Sequence, residues 1–318
     1  MWAYRMDGPG FVTRYQAPDD QTPLGPGEVR LRLLVAGLCG SDMPRFNGIA
    51  VGRIPRPFTD GAPMHEVVGE VVESTSDRLQ VGQRVVGTTG HTGLCEFVTT
   101  SDSLLIAVPE ELDDAEAVII QSLGTVLRAA DDLPDVSGQR VAVIGAGPIG
   151  LAFCHVLKQY GAGHVTAVDP IDRRDVAPRF GADEFVRMNS RHWVQTLSAD
   201  ERPQVVIEAA GHQHVTIRDA IAAVAQGGFV YGFGTPDDDD YVLDYRGIYE
   251  RNLTLAAGHT IDDWPTVLEK GRDYLLKHRP DFADYISHVI PATDAQTAYT
   301  LYARPQIGRL KVAIVNRD

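Results

Sequence analysis

A glycine-rich turn between an apolar strand and an apolar helix constrains the fold of this chain more than any other feature. Residues 141–144 run into Gly145-Ala146-Gly147-Pro148-Ile149-Gly150, and the apolar run 151–157 follows. In a G-x-G-x-x-G turn the first glycine permits the tight turn, the second lets a pyrophosphate approach the backbone, and the third lets helix and strand pack closely. The pattern predicts a parallel sheet of βαβ units that binds a dinucleotide.

An acid at the end of the next predicted strand bears on which dinucleotide binds. Asp169 would accept hydrogen bonds from the adenosine ribose and repel a 2′-phosphate, which favours NAD. Arg173 and Arg174 follow closely and could hold such a phosphate, so NADP is the alternative. The predicted nucleotide-binding residues are Gly145, Gly147, Pro148, Ile149, Gly150, Asp169 and Arg174.

The chain before this turn has a different pattern. Short apolar runs broken by glycine occupy residues 29–35, 67–72, 83–86 and 96–98, which is typical of an all-β, barrel-like unit. A helix begins near Asp113, and strand patterns then alternate with helices. Later strand candidates are residues 165–168, 205–208, 229–233 and 253–256. Beyond Gly258 the pattern predicts a helix at 262–276, a strand at 286–290, a helix at 293–303 and a strand at 310–315.

Charge and cysteine content exclude several classes of function. The 318-residue chain has a formal net charge of −14, which argues against nucleic acid or an anionic membrane as partner. No apolar run approaches the roughly 20 residues that a membrane span needs. Three cysteines make no disulfide framework and fit a reducing cytoplasm. The expected partner is a small molecule.

A second motif, in the β-rich region, carries metal-binding chemistry. Cys39 lies in Gly37-Leu38-Cys39-Gly40-Ser41-Asp42, and the pair His65-Glu66 follows. Thiolate sulfur and imidazole nitrogen are preferred zinc ligands, and the Ser41 hydroxyl could contact a substrate alcohol beside the metal. A metal motif followed by a dinucleotide motif indicates an alcohol-oxidising dehydrogenase.

Together these motifs resemble the zinc-dependent medium-chain dehydrogenase/reductase family, which includes alcohol, sorbitol, threonine and archaeal glucose dehydrogenases. The resemblance implies that Cys39 and His65 bind a catalytic zinc, that Glu66 ligates it or moves in and out of its shell, and that Asp42 braces the histidine. It also implies an α/β fold in which a GroES-like β-barrel catalytic domain is interrupted by a Rossmann domain with a doubly wound parallel sheet. The expected domains are residues 1–122, 123–260 and 261–318, the last returning to the catalytic domain. The matching segments are residues 40–42, 65–71, 81–85, 145–150 and 207–211.

The chain departs from that family in ways that affect the site. Residues 87–98 leave no room for the four-cysteine lobe that often binds a second zinc, so one zinc is expected. Gln121 replaces a frequent acid or cysteine and is at most a weak ligand. Pro44 stands where a proton-relay histidine often lies, which leaves Ser41 to take the hydroxyl proton. His91, in the shortened lobe, could approach the cleft, but a surface loop is expected.

Arginines between the metal residues allow two interpretations. Arg45, Arg53 and Arg56 could grip an anionic substrate, but solvated loop positions are expected. The resulting hypothesis is a zinc- and NAD(P)-dependent dehydrogenase of a secondary alcohol on a polyol, sugar or (amino)cyclitol. A zinc-free quinone or enoyl reductase and a non-catalytic NAD(P)-binding protein are the alternatives. By analogy with the family, a homodimer or homotetramer joined through the Rossmann domain near residues 253–256 is expected.

Overall fold

The chain divides into two compact units in a computed structural model that describes residues 1–18, 22–49, 61, 63–258 and 260–317. The first unit contains Met1–Thr125, Ile261–Pro305 and Arg309–Asp318, and the second contains Val126–Thr260 and Gln306–Gly308. The candidate residues Arg53 and Arg56 lie outside the described residues. None of the described helices combines the length and apolar character that crossing a membrane requires.

Strands and helices are numbered in chain order. The strands are β1 (Trp2–Gly8), β2 (Phe11–Gln16), β3 (Glu28–Gly37), β4 (Glu66–Ser74), β5 (Arg84–Thr88), β6 (Phe97–Ser101), β7 (Leu105–Ala107), β8 (Arg140–Ile144), β9 (His164–Val168), β10 (Glu184–Val186), β11 (Val205–Glu208), β12 (Phe229–Gly232), β13 (Thr254–Ala257), β14 (Ile286–Pro291) and β15 (Lys311–Val315). The α-helices are α1 (Met43–Phe46), α2 (Asp114–Ala117), α3 (Ile119–Ala130), α4 (Pro148–Gln159), α5 (Ser190–Thr196), α6 (His214–Ala223), α7 (Tyr245–Glu250), α8 (Trp264–Lys277) and α9 (Ala295–Tyr302).

The first unit is built on a mainly antiparallel sheet. Its strand order among the described residues is β14-β15-β3-β4-β5-β7, with β6 also paired to β3, and only β14 and β15 run parallel. Apolar side chains of β3, β4 and β15 are buried in one core with residues of α9 and of the β1–β2 hairpin. The C-terminal strands therefore complete the sheet that the N-terminal part begins.

The second unit is a parallel sheet in the order β10-β9-β8-β11-β12-β13. Strand β8 and helix α4 flank the glycine turn, as the sequence predicts. Strand β13 is at the edge of this sheet, and three of its four residues are exposed. The expected α/β fold class, with one β-rich unit and one unit built on a parallel sheet, is confirmed.

Most predicted elements form within a few residues of their expected bounds, and the misses share a cause. The β1–β2 hairpin and the three-residue strands β7 and β10 were not predicted, because short segments carry little periodic signal. The helix expected from Asp113 is divided at Val118 into α2 and α3. After Asp169 the chain forms turns around Pro178, and the next helix begins only at Ser190.

Candidate metal and nucleotide sites

Strand register brings the predicted metal ligands together. Strand β3 ends at Gly37, whose partner on β4 is Glu66, the residue directly after His65. The chain then turns at Cys39 into the short helical turn Gly40–Asp42. Ligand atoms of Cys39, His65 and Glu66 consequently lie within 4.8 Å of one another. Thiolate, imidazole and carboxylate at this separation fit a Zn²⁺ ion.

The Asp42 carboxylate accepts hydrogen bonds from two of these ligand residues. This carboxylate is fully buried, and it accepts hydrogen bonds from the backbone N–H of Cys39 (2.9 Å) and from Nδ1 of His65 (3.1 Å). Since Nδ1 of His65 is engaged, its Nε2 is the nitrogen left for a metal. Burial alone would lower the pKa of His65, but Asp42 and Cys39 outweigh it and hold the pKa well above its usual value. A metal that binds here therefore displaces a proton.

Arg45 was expected on a solvated loop, which was wrong, and His91 is a half-buried loop residue that approaches His65, the alternative left open by the sequence. Arg45 is only 6% exposed, and its Nη1 lies 3.0 Å from Nδ1 of His91, whose ring centroid is 4.9 Å from that of His65. Burial, His65 and Arg45 lower the pKa of His91 to about 4. Because a guanidinium can only donate, Nδ1 of a neutral His91 accepts from Arg45. The same nitrogen lies 3.2 Å from the Pro63 carbonyl oxygen, but a hydrogen bond there would require the tautomer with a proton on Nδ1. The hydrogen bond from Arg45 is preferred, because that donor is charged and closer.

The shortened lobe explains why His91 is held against His65. The N–H groups of Thr89 and Gly93 donate to the carbonyl oxygens of His65 (2.9 Å) and Met64 (2.8 Å). The connection between them is so tight that His91 adopts φ +67°, in the left-handed region that side chains rarely occupy. The short connection in place of the lobe therefore holds the His91 imidazole beside His65.

Lys311 is the residue at this site that sequence reasoning missed. It starts β15 with a buried side chain, and its Nζ forms an ion pair with Oε2 of Glu66. A signal was present, since Lys311 is one of few lysines in the chain and interrupts the apolar run 310–315. A lysine inside a buried strand requires an acidic partner.

The other predicted residues of this unit are near the same turn. Ser41 is half-buried in the turn Gly40–Asp42, two residues beyond Cys39. Pro44 is buried in the first turn of α1, so this turn supplies no imidazole there. Gln121 is buried on α3, and its role as a weak ligand stays a prediction.

The glycine turn of the second unit has the geometry that a pyrophosphate needs. Gly145 has φ +95°, and a Cβ there would lie 2.8 Å from the Ala210 nitrogen. A Cβ on Gly150 would collide with the Gly145 carbonyl group. A Cβ on Gly147, which caps α4, would meet nothing within 4 Å, so space is open at the start of this helix. Pro148 lacks an N–H, and Ile149 and Gly150 are the first donors.

The acid and the two arginines that follow β9 differ in their hydrogen-bond partners and in their burial. Asp169 accepts hydrogen bonds from the N–H groups of Ala146 (2.8 Å) and Ile171 (2.7 Å), which fixes its carboxylate beside the glycine turn. Arg174 donates to both carboxylate oxygens of Asp172 and is therefore engaged. Hydrogen bonds from Arg174 hold the pKa of Asp172 well below its usual value. Arg173 is buried.

Comparison with known proteins identifies the family. Residues 25–110 match the model of the alcohol dehydrogenase GroES-like domain, and residues 148–271 match that of zinc-binding dehydrogenases. The chain is 30% identical to the L-threonine 3-dehydrogenase of Caldanaerobacter subterraneus over 90% of this chain and 91% of that protein. This chain belongs to the zinc-dependent medium-chain dehydrogenase/reductase family.

Two further similarities agree with this assignment. The chain is 25% identical to the sorbitol dehydrogenase of Bacillus subtilis, with 78% of each chain covered. In fold it is similar to the alcohol dehydrogenase TADH from Thermus sp. ATN1, with a TM-score of 0.84, 24% identity and full coverage of both chains. The protein is an alcohol-type dehydrogenase, and enzymes of this family use zinc and NAD(P).

Replacing Asp42 with Asn tests its support of the metal ligands. An amide has one acceptor oxygen, so it cannot serve both the Cys39 N–H and His65 as the carboxylate does. We expect zinc affinity to fall by about 10–100-fold, the usual effect of removing such a partner. Zinc affinity would be measured by chelator competition. Asp114→Asn, in a half-exposed pair with Arg84, is the matched control and should bind zinc normally. Unchanged affinity in Asp42→Asn would refute the role.

Proposed function

We propose that this enzyme oxidises a secondary alcohol of a polyol, sugar or (amino)cyclitol to the ketone, in bacterial sugar or natural-product metabolism. The observation that carries the proposal is the gathering of Cys39, His65 and Glu66 within 4.8 Å, braced by Asp42. A zinc-free quinone or enoyl reductase has no need of such a donor set. The two relatives described above support the substrate class, because threonine and sorbitol both carry a secondary hydroxyl beside another polar group.

Residues of the first unit would hold the metal and move the proton. When bound, zinc acts as a Lewis acid toward the substrate hydroxyl, and NAD(P) accepts the hydride. Cys39 and His65 are the proposed ligands, with Glu66 or water completing the tetrahedron and Gln121 lying outside it or binding weakly. Ser41 is the proposed acceptor of the hydroxyl proton, since Pro44 supplies no imidazole from this turn.

A substrate panel tests the proposed reaction directly. Purified protein is incubated with NAD and a panel of polyols, sugars, cyclitols and amino alcohols, and NADH formation is followed by absorbance. Oxidation of at least one polyhydroxy secondary alcohol is expected. Reduction of quinones or enones with no alcohol oxidation would favour the zinc-free reductase instead.

Ser41→Ala on the substrate so identified tests the proton acceptor. Loss of a positioned acceptor should lower kcat by about 10²–10⁴. The loss should be smaller at alkaline pH, where hydroxide can take the proton, and zinc content should stay unchanged. Ser41→Thr keeps a hydroxyl at this position and should recover most of the activity. If Ser41→Ala retains normal kcat, the proton leaves through another group.

We also propose that NAD is preferred over NADP. The Asp169 carboxylate beside the glycine turn would repel a 2′-phosphate, and Arg174 is engaged by Asp172. Asp169→Ser should weaken NAD about tenfold, since a charge-assisted hydrogen bond contributes about 1.5 kcal/mol or more. Adding Asp172→Asn should release Arg174 and improve the kcat/KM for NADP further. Asp200→Asn, an exposed acid of the same unit, is the control. A wild-type enzyme that prefers NADP would contradict the assignment.

Assembly through the second unit is proposed as well. Strand β13 is an exposed edge of the sheet formed by the described residues, and two such edges can pair to form a homodimer, or a homotetramer built from it. Leu255→Lys on β13 should give monomers by light scattering at micromolar concentration. Leu276→Lys on α8 is matched, because both leucines are 37% exposed, and should not change the mass. A monomeric wild-type protein would overturn the proposal. The three cysteines, none of them in a disulfide, fit the expected reducing, cytoplasmic location.

A further inference from the structure

A buried ion pair joins the metal site to the C-terminal strand of the first unit. Glu66 and Lys311 have side chains that are 1% and 3% exposed, and Oε2 of Glu66 contacts Nζ of Lys311. Neither partner can reach water, so each charge depends on the other. This pair is separate from the Asp42–His65 contact, which involves different residues.

Gly37 makes the pair possible. Strand β3 lies between β4 and β15, so the two side chains must meet across it, and Gly37 is the β3 residue paired with Glu66. A Cβ on Gly37 would lie 2.6 Å from Oε2 of Glu66, 2.9 Å from Cγ2 of Val118 and 3.2 Å from Cε of Lys311. Only glycine leaves this gap open, and the ion pair occupies it.

Lys311 also lies within the electrostatic field of the metal ligands. Its ammonium is buried against the Glu66 carboxylate, and a buried cation requires an acidic partner of this kind. The neighbouring hydroxyls of Tyr285 and Tyr302 are buried too, and burial raises the pKa of Tyr285 to about 12. Both tyrosine hydroxyls are neutral. Among these groups, Lys311 therefore supplies the charge that Glu66 pairs with.

We propose that Lys311 is a positioning residue that restrains Glu66 from becoming a full zinc ligand, and so leaves a coordination position for water or substrate. This rests on the zinc site of the proposed function. A carboxylate that is shared with an ammonium donates less charge to a metal than an unshared one. The ammonium also adds a positive charge next to the ion, which weakens zinc binding and strengthens its Lewis acidity.

The experiment uses full-length protein reconstituted with Zn²⁺ or Co²⁺. Lys311→Met keeps most of the length of the side chain and removes its charge, which frees Glu66. We expect zinc affinity, measured by chelator competition, to rise at least tenfold. The d–d absorption of the Co²⁺ form should change as a ligand is added. Lys311→Arg retains the charge and should match the wild type in both measurements.

Variants of Glu66 show whether Lys311 acts through it. Because Glu66 is not a full ligand in the proposed wild-type site, Glu66→Gln should leave the Co²⁺ spectrum unchanged. The double variant Lys311→Met/Glu66→Gln should have the wild-type spectrum as well. Glu66→Gln also provides a second test should Lys311→Met fail to fold, since a changed spectrum in Glu66→Gln overturns the proposal. Unchanged or weaker zinc binding in Lys311→Met overturns it too.

Failure of this inference differs from failure of the proposed function. If the wild type binds zinc and oxidises alcohols, and Lys311→Met has the same zinc affinity and Co²⁺ spectrum as the wild type, only the role of Lys311 is wrong. If the wild type binds neither Zn²⁺ nor Co²⁺, both are wrong.

Discussion

The pairing of β3 with β4 and β15 around Gly37 is the constraint on which the metal site depends. This register sets Glu66 opposite Gly37, directs the chain after β3 into the turn that carries Cys39, and pairs Gly37 on its other side with Ala313, two residues after Lys311. A slip of one residue would move every side chain of a strand to the other face. The site is therefore specified by backbone hydrogen bonds of the sheet, and the ligands need no long loop to assemble.

Buried charge at this site is compensated by neighbours of opposite sign. Asp42 accepts from Cys39 and His65, Glu66 pairs with Lys311, and Arg45 lies in the field of Asp42. Uncompensated buried charges cost several kcal/mol each, whereas these groups supply one another with hydrogen bonds or opposite charge. Such an arrangement holds the ligands in place before a metal arrives. A change in one charged residue will therefore alter the electrostatic environment of the ligands through its partner.

Local motifs predicted much of this organisation, and long-range contacts account for what was missed. The glycine turn with Asp169, and Cys39 with His65, are short patterns whose chemistry can be read from neighbouring residues. The ion pair of Lys311 with Glu66 joins residues that are far apart in sequence, and only the strand order brings them together. Arg45 was misplaced for the same reason, since burial of a loop residue depends on what packs over it. Short strands such as β7 and β10 lack the periodicity that identifies longer ones.

The central claim is that one zinc is held by the ligands gathered beside Gly37. Elemental analysis of the purified protein, expressed in zinc-supplemented medium, measures this most directly. The account predicts one zinc per chain in the wild type, and its loss in Cys39→Ser with NAD binding retained, because the glycine turn belongs to the other unit. Two zinc ions per chain, or none, would contradict it.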